Sequence, residues 1–174
     1  FFLLMVNLQA FVNDCLYDPW KGTNHQGYVY LTPKQKGQYG EMFVEQLMKE
    51  MLCDVQPAET STAGYDRYVD GIKTEIKFSL ATRKGKEIVD NKFVINHVSA
   101  GKDWDRLIFC GVNTDNLVIF YFTKSDFKQE LQRNDTVFHY QQGGKSIAND
   151  DYMCSDITTL MNREYVKQVT EWWL

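Results

Sequence analysis

Asp70-Gly71 separates two runs of strand-forming residues, Tyr65–Val69 and Ile72–Leu80. Asp-Gly suits a tight hairpin turn, whose two central residues both need positive φ. With this pair as the turn, Val69 faces Ile72, Tyr68 faces Lys73, Arg67 faces Thr74 and Asp66 faces Glu75. Side chains alternate along a strand, so Asp66, Glu75 and Lys77 share one face. Two facing carboxylates repel by roughly 0.2–1 kcal/mol even on a surface. A divalent cation between them reverses that sign, and a hard cation such as Mg²⁺ prefers carboxylate oxygens. Lys77 then stands beside the cation, placed to orient a water or to offset phosphate charge. Asp70 belongs to the turn for backbone reasons and stays outside this set.

The segment before the hairpin adds a carboxylate. Residues 38–52 form the clearest helix, with Val44, Leu47, Met48 and Met51 at helical spacing. Glu41 falls on the apolar side, where a carboxylate needs a partner. Glu45, one turn on, is the second candidate for that role.

The rest reads as mixed structure. Helices are expected over 2–16, from a cap at Thr123 or Ser125 through Leu131, and from Asp156 to about Trp172. Tyr28–Leu31 and Val137–Tyr140 read as short strands, and Leu107–Val112 and Leu117–Phe122 as buried ones. Pro33–Gly40, the basic stretch 81–92 and Gln141–Lys145 read as loops, and Asp54–Gly64 as extended or loop. Strands mixed with flanking helices make the chain α/β or α+β.

A length of 174 residues fits one domain, and 44 % apolar residues suffice for a core. The net charge of −4 excludes a highly basic nucleic-acid coat, although an acidic site and a local basic strip can coexist. The four cysteines are far apart and form no Cys-x-x-Cys pair, which argues against structural zinc and for a reducing compartment. His25, His97 and His139 compose no His-based nuclease motif, and no Gly-rich phosphate loop occurs. No run is long enough to span a membrane. The apolar start, Phe1–Val6, lacks the flanks of a signal peptide and reads as part of a core helix. Trp172 and Trp173 read as packing residues or a dimer contact.

The order Gly40-Glu41, then Gly64-Tyr65-Asp66, then Thr74-Glu75-Ile76-Lys77-Phe78-Ser79 resembles the PD-(D/E)XK nuclease superfamily, and within it the type II restriction endonucleases. The resemblance covers about residues 37–123. Trp104–Phe109 is similar to the strand that follows the motif, whereas Tyr65 stands where the family has proline. The resemblance implies a restriction-endonuclease-like core, with a mixed central β-sheet flanked by helices. It implies Mg²⁺-dependent hydrolysis of phosphodiester bonds in double-stranded DNA. Asp66, Glu75, Lys77 and Glu41 would be catalytic, and Asp66, Glu75 and Ile76 would hold the metal. It further implies a homodimer, and a cytoplasmic protein of bacterial, archaeal or phage origin. Residues 124–174 would then add DNA-reading or dimerisation elements to one nuclease domain spanning 1–174.

Between Lys73 and Arg106 stand eight basic residues against five acidic ones. Arg83, Lys84, Lys86 and Lys92 are expected to grip phosphates. Asn96, His97, His139, Gln141, Gln142 and Lys145 are candidates for reading bases. Two alternatives share the core: a structure-specific nuclease, such as a Holliday-junction resolvase or a repair or phage nuclease, and a non-catalytic DNA-binding module.

Overall fold

The computed structural model describes residues 7–141 and 150–169. In chain order it contains helix α1 (Leu8–Cys15), a 3₁₀ turn (Tyr28–Tyr30), helix α2 (Pro33–Glu50) and strands β1 (Val55–Pro57), β2 (Arg67–Val69) and β3 (Ile72–Leu80). Short strands β4 (Arg83–Lys84), β5 (Glu87–Ile88) and β6 (Ile95–Val98) follow. Then come β7 (Arg106–Val112), β8 (Leu117–Thr123), helix α3 (Lys124–Glu130), β9 (His139–Tyr140), β10 (Tyr152–Cys154), helix α4 (Ile157–Met161) and β11 (Lys167–Gln168).

The main sheet has the order β1-β2-β3-β7-β8-β11. All neighbours are antiparallel except β3 and β7, which run parallel over Thr74–Leu80 and Arg106–Val112. The fold is thus mixed α+β, with a central mixed sheet flanked by helices. The hairpin has the register that its turn dictates. Asp70 and Gly71 have φ of 50° and 78°, and Arg67, Tyr68 and Val69 pair with Thr74, Lys73 and Ile72. Strand β7 is buried throughout, as expected of a central strand covered on both faces.

The register assigns the faces. Phe78 points to the face on which α2 lies, and its ring centroid is 5.2 Å from that of Phe43. Glu75 pairs with Leu107, and Leu107 with Phe122, so these three share the opposite face. There Phe122 stacks on Phe127 of α3. Helix α2 seats closely because Gly40 has no side chain: a Cβ there would lie 2.5 Å from Phe78 Cβ. Gly40→Ala is therefore expected to lower stability by about 1–3 kcal/mol through overpacking. An unchanged urea midpoint would show that α2 does not depend on this close approach.

Several local readings differ from what forms. Pro33–Gly40 is not a loop but the first turns of α2, started by a capping box of Thr32 and Gln35 with Pro33 at the first helical position. Tyr28–Tyr30 is a 3₁₀ turn rather than a strand, entered through Gly27 at φ 89°. The basic stretch 81–92 carries the small β4–β5 hairpin. Of the strand expected over Val137–Tyr140, His139 and Tyr140 pair with β10, while Val137 and Phe138 enter the core. The last helix stops at Met161, because Arg163 and Tyr165 turn to buried Glu130 and Lys167–Gln168 joins β8. Residues 1–6, Gly143-Gly144 and Trp172-Trp173 lie outside the described residues. The described helix α1 buries none of its residues, so it is not a core helix; Leu8 and Phe11 are 71 % and 63 % exposed.

Cys53, Cys110 and Cys154 are buried and free, while Cys15 is exposed. Among the described residues, no helix is long and apolar enough to cross a membrane.

Candidate functional site

Strand β2 pairs with β3 only as far as Thr74, whereas β7 pairs with β3 through Leu80. No described strand pairs with the outer edge of β3 beyond that point. A cleft of about 630 Å³ opens along this edge. One wall is the first half of α2, including Lys36 and Glu41; the other is Val94–His97, with Lys102 and Gln141. Asp66, Glu75, Ile76 and Lys77 line its floor.

Asp66 reaches that floor because the ladder ends just after it. Its N–H donates to the Thr74 carbonyl at 3.0 Å, and its Oδ2 accepts the Ile76 N–H at 2.7 Å. The side chain therefore replaces the strand that would otherwise satisfy the Ile76 N–H. Burial, and then the charge of Glu75, push the Asp66 carboxyl up to about 7. Glu75 is itself only 6 % exposed. Lys77 Nζ stands 2.7 Å from Glu75 Oε1, as alternation on one strand face requires.

Glu41 and Glu45 separate clearly. Glu45 accepts from Lys49 Nζ at 2.6 Å and from Arg67 Nε at 2.8 Å, and these partners hold its carboxyl below the usual range. Glu41 lines the cleft, and burial pushes its carboxyl up despite the nearby Arg67 guanidinium. Among the described residues, no three His, Cys, Asp or Glu side chains form a ready-made metal cage. Two neighbouring carboxylates with open space before them match what Mg²⁺ uses, since it binds through one or two carboxylates and keeps several waters. The all-oxygen donor set disfavours softer metals. The residues present thus fit a Mg²⁺ ion.

The expected DNA contacts divide. Asn96, His97 and Gln141 line the cleft wall. His97 has a positive φ of 56°, its N–H donates to Gln141 Oε1 at 3.2 Å, and its Nδ1 lies 3.0 Å from Asp151 Oδ2. A non-glycine residue held there costs on the order of 1–3 kcal/mol and needs surroundings that fix it. Arg83, Lys84 and Lys86 belong to the β4–β5 hairpin and do not line the cleft. Arg83 bonds Asp14 at 3.2 Å, and both Arg83 and Lys86 lie against the Tyr17 ring. Lys92 and exposed His139 also lie outside it, while Gln142 and Lys145 are outside the described residues.

Lys36, Lys102 and Tyr28 line the cleft without having been singled out from the sequence. For Lys36 a signal existed: reading Thr32-Pro33-x-Gln35 as a capping box puts Lys36, Gly37, Gly40 and Glu41 on one helix face.

No protein-family model matches the chain, and no curated protein matches it. Among solved structures, a bacterial homing endonuclease, I-Ssp6803I, aligns over 57 % of this chain and 74 % of its own, at 14 % identity and a TM-score of 0.43. At that level the likeness bears on neither the chemistry nor the site residues.

Proposed function

We propose that this cleft hydrolyses phosphodiester bonds of double-stranded DNA with Mg²⁺, in the manner of a type II restriction endonuclease of the PD-(D/E)XK kind. The observation that carries the reading is the juxtaposition of half-buried Asp66 and buried Glu75 beside Lys77 at an open strand edge. Asp66, Glu75 and the Ile76 carbonyl, which faces the same edge as its bonded N–H, would hold the ion. Bound there, Mg²⁺ supplies Lewis-acid charge to a phosphate and lowers the pKa of water. Lys77 orients the attacking water or balances charge on the phosphate. Glu75 positions the Lys77 ammonium for that task. Lys36 and Lys102 offer positive charge on opposite walls, suited to backbone phosphates. Asn96, His97 and Gln141 present polar groups that can meet base edges, which supports a sequence-specific enzyme. Cutting both strands together needs two such clefts, so a homodimer is the working unit in this reading.

The test is incubation of supercoiled plasmid and phage DNA with the purified protein in Mg²⁺. Discrete linear fragments are expected from the wild type and none from Glu75→Gln. Cleavage that persists in Glu75→Gln, or with all divalent metal chelated, would overturn the reading. Preference for a four-way junction over linear duplex would turn it toward a resolvase.

A further inference from the structure

We propose that Arg67 is a positioning residue that holds Glu41 back from the Asp66/Glu75 pair, leaving Glu41 as a carboxylate released to the cation when it binds. The proposal rests on the reading of that pair as a metal site. Arg67 has two firm anchors. Its Nε donates to Glu45 Oε2 at 2.8 Å, and its Nη1 donates to the Asp66 carbonyl at 2.7 Å. The same Nη1 reaches Glu41 Oε2 at 3.4 Å, the longest of the three contacts. The guanidinium is thus fixed without Glu41, and Glu41 is the replaceable member of the cluster.

The placement of Glu41 fits this role. It lines the cleft and is close enough to Asp66 and Glu75 for its charge to be felt by Asp66. Yet no three carboxylates among the described residues are gathered as a cage. Arg67 supplies the physical reason. Three clustered carboxylates repel one another without a cation, and a neighbouring guanidinium gives the third a lower-energy place to rest. A divalent ion at Asp66 and Glu75 competes with Arg67 for Glu41. The outcome is set by how strongly Glu45 occupies Arg67.

The test is calorimetric titration of metal-free protein with Mn²⁺ alone, without DNA. Arg67→Met keeps much of the apolar stem and removes the competing charge. It is expected to tighten Mn²⁺ binding by about tenfold, the smaller end of the effects of residues that support metal ligands. Glu45→Gln leaves Arg67 in place with Glu41 as its remaining carboxylate partner in the cluster, and is expected to weaken binding by a similar factor. Both shifts should vanish in a Glu41→Gln background, since the coupling runs through that residue. A merely structural Arg67 would instead give weaker or unchanged binding in Arg67→Met and no change in Glu45→Gln. That pattern, or shifts that persist without Glu41, overturns the proposal. If Arg67→Met does not fold, the Glu45→Gln arm decides alone. Wild-type protein that binds no Mn²⁺, or binds it as Glu75→Gln does, overturns the metal reading and this proposal with it.

Discussion

Replacing Lys77 with methionine is expected to slow single-turnover cleavage of duplex DNA by about 10²–10³-fold at saturating Mg²⁺, with the ion still bound. The size follows from what Lys77 does in the proposed reaction. Its own strand places its ammonium beside the carboxylate pair, 2.7 Å from Glu75. Its charge counts most where water is scarce, and its partner Glu75 is buried. Methionine retains the length and the apolar stem, so the packing of this β3 side chain should survive. Stability separates this role from a structural one. Without metal, the variant leaves Glu75 without its ammonium partner. Breaking a fully buried pair costs about 3–5 kcal/mol, and less here because Lys77 keeps some contact with solvent. The metal-free variant should therefore melt below the wild type, and Mg²⁺ should narrow the gap. Cleavage within about threefold of wild type would remove Lys77 from the reaction. Joint loss of cleavage and metal binding would make it a structural support instead.

The parts of this site legible in the sequence are those governed by local rules. Asp70-Gly71 names its turn, and the turn fixes the hairpin register. Alternation then places Glu75 and Lys77 on one face. Thr123 caps α3 with its own side chain, and the apolar run Leu107–Val112 within β7 announces a central strand. What stayed hidden depends on distant partners. The Lys/Gln/Gly composition of Pro33–Gly40 resembles a loop, yet Gly40 is required there by the approach of Phe78, which is far along the chain. Tyr28 and Tyr30 alternate like a strand, but Tyr28 turns inward against Tyr39 and Phe78. The helical pattern after Asp156 breaks because a buried acid, Glu130, draws in Arg163 and Tyr165. The charge balance between residues 73 and 106 marks basic residues but not their destinations. Asp14 and Tyr17 take up Arg83, while Lys36 and Lys102 flank the cleft.

Asp66 yields the second large effect, and its sign with pH is distinctive. The folded carboxyl is pushed up to about 7, first by burial and then by Glu75. An unfolded aspartate titrates near 3.9. Between those values the folded state binds the proton more tightly, so metal-free stability falls as pH rises through that window. Below about pH 4 both states are protonated and the effect is absent; above about pH 7 the penalty is complete, with a ceiling on the order of 4 kcal/mol. Asp66→Asn removes the charge and keeps a side-chain oxygen for the Ile76 N–H. At about pH 8 the metal-free variant should therefore be more stable than the wild type, by about 1–3 kcal/mol after relaxation. Near pH 4 the two should unfold together. Mg²⁺ reverses the ordering, because an ion that binds only the folded state stabilises it, and only the wild type retains both carboxylates. Thermal melts at about pH 4 and about pH 8, with and without Mg²⁺, read all of this directly. The Mg²⁺-induced rise in melting temperature should be large for wild type at the higher pH, small at the lower one and nearly absent in Asp66→Asn. The variant should cut DNA at least about 10²-fold more slowly at either pH. Metal-free Asp66→Asn that is less stable than wild type at the higher pH would show that the carboxylate is satisfied by the protein alone. That result would remove the physical reason for placing a cation beside it.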